Sequence, residues 1–244
     1  MSKDRKVAVI GAGSSGISSC QVLNARGMEF DCYEMGSQVG GNWRYENDNG
    51  MSAAYRSLHI NTSRRTMAYA TYPMPESLPD YPNHFQIAQY FDDYVDHFGF
   101  RERIRFETAI ERARPRDDGT WELTGADGER RAHDMLVVAN GHHSDQRWPE
   151  PAFPGSDSFD GIQMHAHDYR DNGFLAGRDV VVLGMGNSAM DIAVESSYVA
   201  RTTHLAARRG AWIVPKYLFG RPLDQISTIP HVCLLYTSPS PRDS

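Results

Sequence analysis

The sequence predicts an α/β protein assembled from two copies of one local unit: strand, glycine turn, helix, strand. Three observations predict it. A strand-like apolar run, Val7-Ala8-Val9-Ile10, leads straight into Gly11-Ala12-Gly13-Ser14-Ser15-Gly16, then a helical stretch from Ile17 to Arg26 and a strand from Phe30 to Glu34. From Asp179 to Leu183 the same order begins again, passing through Gly184-Met185-Gly186-Asn187-Ser188-Ala189 to a strand ending at Leu205-Ala206-Ala207. The bulk numbers agree, since 244 residues with 40% hydrophobic positions, 21 glycines and 13 prolines suit a globular α/β chain of one or two domains.

In the first unit, glycine is needed where the strand turns into the helix, because side chains there would keep a pyrophosphate from the helix N-terminus and its N–H groups. Gly11, Gly13 and Gly16 meet that need, and Glu34 stands about 20 residues on, at the end of the second strand, where an acid takes ribose hydroxyls. The unit therefore reads as a Rossmann-like dinucleotide-binding unit. Gly27 closes its helix at a position that favours positive φ.

Farther along, Ile87, Tyr90, Phe91, Tyr94, Val95 and Phe98 recur at spacings of three and four and predict an amphipathic packing helix ended by Gly99. Between Arg105 and Val138, β-type runs at Trp121-Glu122-Leu123 and Met135-Leu136-Val137-Val138 flank Gly125-Ala126-Asp127-Gly128, whose Asp-Gly pair favours a hairpin, so a small meander is expected. The Pro-rich stretch from Trp148 to Gly155 reads as a connector.

The second unit has alanine, Ala189, in place of the third glycine, a position that governs helix packing more than phosphate approach. Its following strand ends without an acid; Arg208 and Arg209 come instead. A guanidinium there suits the 2′-phosphate of NADP, although arginines on a solvated turn would look the same.

The 25 basic and 31 acidic residues leave a net charge of -6, with no broad basic surface for nucleic acid or anionic lipid. The start, Met1 to Lys6, carries no apolar signal segment, and no apolar run approaches the ~20 residues of a membrane-spanning helix. Cys20, Cys32 and Cys233 show neither paired nor metal-ligand spacing, so no disulfide framework and no metal site are expected. A cytoplasmic setting is the expectation.

Four motifs in order resemble the flavin-containing monooxygenases: GAGSSG at Gly11 to Gly16, GGNW at Gly40 to Trp43, an FxGxxxHxxxY signature at Phe159, Gly161, His165 and Tyr169, and GMGNSA at Gly184 to Ala189. Tyr55 to Asn61, Tyr81-Pro82-Asn83, Asn140 to His143 and Arg208 to Trp212 are similar to the family's intervening text, so the resemblance runs from Lys6 to about Trp212. It implies FAD and NADPH as cofactors, O2 as co-substrate and an amine or sulfide as the oxygenated small molecule. It implies that residues 1–154 form the first part of an FAD-binding domain and residues 155–232 part of an NADPH-binding domain. Gly40, Gly41, Asn42 and Trp43 would border the flavin with the first glycine turn. Asn61, with Thr62 beside it, falls on the family's active-site asparagine near the reacting face of the ring; without the resemblance Asn61 reads as a turn residue satisfying local backbone. Gly184, Gly186, Asn187, Ser188, Ala189, Asp191 and Arg208 would serve the nicotinamide cofactor, whereas His165 and Tyr169 are implied to link the two nucleotide domains.

A Baeyer-Villiger monooxygenase shares both nucleotide sites, but its signature ends in tryptophan followed by proline or aspartate, where this chain has Tyr169-Arg170. A disulfide reductase needs a redox-active cysteine pair that Cys20 and Cys32 do not supply. Residues 233–244 are similar to a translated transposase-type sequencing adapter, so native sequence is expected to end near Val232, and the chain as it stands is alternatively a non-catalytic nucleotide-binding fragment.

Overall fold

The computed structural model describes residues 5–226. Cys233 and the adapter-like segment lie outside the described residues. The chain divides into two compact units: one formed by the chain up to Leu58 with His84–Arg208, the other by His59–Asn83 with the chain from Arg209.

The elements in chain order begin with β1 (Lys6–Ile10), α1 (Ser14–Ala25) and β2 (Glu29–Tyr33). In the other unit lies a single helical turn, α2 (Arg64–Met67), before the chain returns with α3 (His84–His97). Next come β3 (Ile104–Arg105), β4 (Ile110–Pro115), β5 (Trp121–Gly125), β6 (Arg130–His133) and β7 (Met135–Val138). The repeat follows as β8 (Asp179–Leu183), α4 (Asn187–Val199) and β9 (Thr202–Ala206). Two short strands, β10 (Tyr217–Leu218) and β11 (Arg221–Pro222), and the helical turn α5 (Leu223–Ile226) close the described chain.

β3, β2, β1 and β7 form a four-stranded sheet in that order, with every pair parallel. Period-two alternation divides its faces. Phe30 packs edge-on against Phe100, which in turn meets Tyr94 of α3, and all three rings are buried. Each such ring contributes about 1.5–3 kcal/mol by leaving water. On the opposite face Ala8 and Tyr33 close over Leu123 of β5, with Ile10, Ile110, Ala113, Trp121 and Leu136 around them. The expected helix is present, with Ile87, Tyr90, Phe91, Tyr94 and Val95 on its buried side and Gly99 beyond its end at φ +66°.

One expectation is corrected. The meander is β4-β5-β6, antiparallel throughout, and the far strand of the Asp127-Gly128 hairpin is Arg130–His133. Met135–Val138 leaves the meander and pairs in parallel with β1, from Val7↔Met135 to Ile10↔Val138. Lys6 and Asp134 pin that start: Lys6 N–H donates to the Asp134 carboxylate Oδ2 at 2.7 Å, and Asp134 N–H donates to the Lys6 carbonyl at 2.9 Å. β6 escapes a reading by apolar alternation because its inward residues are Arg131 and His133, which lie against the Tyr33 ring and phenol.

β8 and β9 form a two-stranded parallel sheet. Val182 and Ile192 of α4 share a buried cluster with Tyr55, Tyr169 and Leu175. The fold is α/β with two Rossmann-like units, as the sequence predicts. Among the described residues no helix is long and apolar enough to cross a membrane.

Candidate functional site

The first glycine turn is held by a backbone bond from Gly11 N–H to the Tyr33 carbonyl at 2.8 Å. Gly11 has φ +96°, and a Cβ there would come within 2.5 Å of the Ala139 carbonyl oxygen. A Cβ on Gly16 would lie 1.8 Å from the Gly11 carbonyl oxygen, so α1 can approach the turn only with glycine at that position. Both residues are explained by the fold.

Gly13 is different. It is the N-cap of α1 at φ -73° and ψ -173°, a conformation open to any residue. Its Cβ would meet nothing nearer than the Gly41 Cα, at 3.8 Å, an ordinary contact. N-cap positions accept glycine along with Ser, Thr, Asp and Asn, so the cap tolerates glycine here while neither a positive φ nor a close contact requires it. A bare backbone at a helix N-terminus fits a pyrophosphate that must come close to it.

The GGNW turn builds the wall opposite. Gly40 N–H donates to the Ala12 carbonyl at 3.0 Å, and a Cβ on Gly41 would sit 3.1 Å from the Gly13 Cα. Gly40 and Gly41 reach this approach at φ +122° and +54°. Asn42 braces the turn from behind, its Oδ1 accepting Ala53 N–H at 2.8 Å. Trp43 lines a cavity of about 380 Å3 with Gln38, Arg44, Tyr45, Phe85 and Gln89. Arg44 is fixed there by an ion pair to Asp92 of α3.

Glu34 is buried immediately beyond β2. Its Oε2 accepts the Ala12 N–H at 2.7 Å, while Oε1 accepts Gly36 N–H at 2.8 Å and Asn49 Nδ2 at 3.3 Å. The carboxylate thus ties the glycine turn to the strand end and keeps lone pairs for hydroxyl donors. Asn49 belongs to this arrangement and carries no sequence signal beyond its residue type.

In the second unit Gly184 N–H donates to the Ala206 carbonyl at 2.9 Å, the counterpart of the Gly11–Tyr33 bond. Gly184 has φ +137° and its Cβ would meet the Ala189 Cβ at 3.3 Å, so the alanine is accommodated. Gly186, the N-cap of α4 at φ -80° and ψ 175°, has nothing within 4 Å of where a Cβ would stand. It repeats the Gly13 pattern. Asn187 and Ser188 begin the helix exposed. By the backbone correspondence, Ala207 occupies the place of Glu34, and the exposed Arg208 follows it. Among the described residues Arg208 has no hydrogen-bond or ion-pair partner, which leaves its guanidinium available. Asp191 Oδ2 accepts the Tyr55 hydroxyl.

Asn61 and Thr62 belong to the other compact unit. They are exposed in a bend whose ends are anchored, with Ile60 N–H donating to the Pro82 carbonyl at 3.0 Å and Ser63 N–H to Asp224 Oδ2 at 2.7 Å. Among the described residues the Asn61 side chain has no hydrogen-bond partner, so it does not serve local backbone.

In the FxGxxxHxxxY segment, a Cβ on Gly161 would lie 2.4 Å from the Phe159 ring, an exposed side chain that would have to move aside. His165 Nδ1 accepts His167 N–H at 3.1 Å, and the Tyr169 hydroxyl donates to Glu195 of α4. Among the described residues no cluster of His, Cys, Asp and Glu is arranged to hold a metal ion.

The model of the flavin-binding monooxygenase-like proteins matches residues 4–236. The chain belongs to that family. Within this flavin-binding monooxygenase-like family, rabbit (Oryctolagus cuniculus) flavin-containing monooxygenase 5 is 36% identical over 230 residues, covering 90% of this chain and 43% of the relative. Rabbit dimethylaniline monooxygenase [N-oxide-forming] 2 is 33% identical over 221 residues, covering 87% of this chain and 41% of the relative. Among solved structures, S-allyl-L-cysteine S-oxygenase from Allium sativum superposes with a TM-score of 0.76 at 29% identity, over 88% of this chain and 54% of that one. The chain therefore spans less than half the length of the curated family members it matches.

Proposed function

We propose that this chain carries the FAD site and the NADPH site of a monooxygenase that uses O2 to oxygenate a nucleophilic nitrogen or sulfur. Residues 1–154 would serve FAD and residues 155–232 NADPH. The observation that carries the reading is the pair Gly13 and Gly186, two glycines at helix N-termini that the protein's own geometry does not require. The N-oxide-forming and S-oxygenating relatives support the substrate class.

Bound flavin would supply the redox and oxygen-activating chemistry. The protein's part is to bind, orient and exclude water. The N-terminus of α1 and the facing Gly13 and Gly41 backbones would receive the FAD pyrophosphate, with Glu34 toward the ribose. The N-terminus of α4 would receive the NADPH pyrophosphate beside Gly184 and Gly186. Ala207 offers no carboxylate to repel a 2′-phosphate, and Arg208 offers a guanidinium to pair with it. Asn61, exposed and unpartnered among the described residues, would donate hydrogen bonds at the reacting face.

The experiment is NADPH consumption and product analysis by the purified, FAD-loaded protein with a tertiary amine, a thioether and a cyclic ketone. N-oxide or S-oxide formation with NADPH is expected. Ester formation from the ketone alone would assign the chain to Baeyer-Villiger chemistry instead.

A further inference from the structure

Helix α4 carries two carboxylates one turn apart, Asp191 and Glu195, on the same face. Each accepts a tyrosine hydroxyl. Tyr55 donates to Asp191 Oδ2 and Tyr169 donates to Glu195 Oε2, although the donors lie 136 and 26 residues away in sequence. The two phenol rings pack on one another with centroids 5.7 Å apart, both essentially buried, in the cluster that also holds Val182 and Ile192. Arg56 N–H donates to the Arg170 carbonyl at 2.8 Å and so joins the two segments that present the tyrosines. Asn172 Nδ2 adds a bond to the Glu195 carbonyl at 3.1 Å.

Among the described residues neither carboxylate makes an ion pair, which leaves the tyrosine hydroxyls as the side-chain donors that hold them. Burial, followed by the adjoining carboxylates, pushes both phenols well above their ordinary range, so each keeps its proton and remains a donor. A hydroxyl donating to a carboxylate is among the stronger hydrogen bonds. Two of them at i and i+4 fix both the rotation and the tilt of a helix. That helix begins at Gly186, the bare N-terminus of the second turn.

We propose that Tyr55 and Tyr169 are positioning residues that clamp α4 through Asp191 and Glu195 and so aim the second glycine turn at its nicotinamide cofactor. Asp191 then acts on cofactor binding through Tyr55 and not by contact. This rests on the second turn being the NADPH site.

Tyr55→Phe, Asp191→Asn and the double variant separate the two possibilities, since both changes preserve side-chain size. NADP+ affinity is measured by calorimetry, and amide exchange across residues 187–199 is followed in the cofactor-free protein. The expected result is that each single variant weakens NADP+ by about three- to tenfold, that the double variant is no worse than either, and that FAD affinity is unchanged. Exchange in α4 should rise alike in all three. If Asp191→Asn weakens NADP+ while Tyr55→Phe binds as wild type does, Asp191 touches the cofactor and the clamp is overturned. Unchanged exchange in the Tyr55→Phe helix overturns it as well, whatever the cofactor does. Failure of the wild type to bind NADP+ would overturn the NADPH reading and leave the clamp to be judged by exchange alone.

Discussion

Gly184 donates its backbone N–H to the Ala206 carbonyl at 2.9 Å, as Gly11 does to Tyr33 at 2.8 Å. Matching these two bonds puts Ala207 where the first unit has Glu34 and sets Arg208 one residue beyond. The selectivity proposed for the second site would follow from that exchange of a carboxylate for a methyl group and a neighbouring guanidinium. NADPH should be preferred to NADH, and Arg208→Ala should weaken NADPH by ten- to a hundredfold, roughly 1.5 to 3 kcal/mol for a charge-assisted bond. Steady-state constants with both cofactors test this; equal use of NADH and NADPH by the wild type would sink it.

The glycines fall into two kinds, and alanine should separate them. Gly13→Ala fits the backbone and meets no close atom, but alanine is a poorer N-cap than glycine, so the apoprotein should lose only about 1 kcal/mol or less. FAD affinity should nonetheless fall tenfold or more. Gly16→Ala puts a methyl 1.8 Å from the Gly11 carbonyl oxygen and should cost about 3 kcal/mol or more before any cofactor is added. Denaturation of the apoproteins and flavin titration together report both halves; intact FAD binding by Gly13→Ala would remove the phosphate reading of the turn.

Asn61 is exposed between two anchored residues and has no side-chain partner among the described residues. Asn61→Ala should therefore leave folding and flavin content near wild type, within about 0.5 kcal/mol for a surface change. The expected loss is in coupling, with more hydrogen peroxide released per NADPH consumed. Product formed against NADPH oxidised is the measurement, and unchanged coupling would deny Asn61 its role.

Asp31 joins the parallel sheet to the meander. Lys6 Nζ lies 2.6 Å from its carboxylate, His133 Nε2 3.1 Å and Arg105 3.2 Å. Burial raises its pKa, but the bonds from Lys6 and His133 and the charges of Lys6 and Arg105 outweigh it and bring the group down to about 2. A depressed folded value means the stabilisation is whole above the unfolded pKa, near 3.8, and is lost as pH falls through about 2. Screening by solvent limits it to about 1 kcal/mol. Asp31→Asn should thus be less stable than wild type at pH 6, with the gap closing between pH 4 and pH 2 in urea titrations. A gap of constant size across that range would show that the charge of Asp31 is not its source.

The sequence by itself determined the two glycine turns, their helices and the packing face of residues 84–97. Those features are local: a φ of +96° at Gly11, a bare N-cap at Gly13 or Gly186, and apolar spacings of three and four all report on neighbours within a few residues. Arg208 was legible in the same way, as a cation just beyond a strand end that carries no acid. Only the tertiary structure decided where Met135–Val138 pairs, because an apolar strand carries no mark of its partner, and β1 lies some 128 residues earlier. It also showed β6 to be a strand, since Arg131 and His133 face inward only because Tyr33 and Asp31 receive them. The partner of Asp191 was equally out of reach, because the fold brings Tyr55 to its carboxylate across 136 residues. Residue type and spacing limit what a side chain can do, and long-range pairing of strands and buried rings decides which of those things it does.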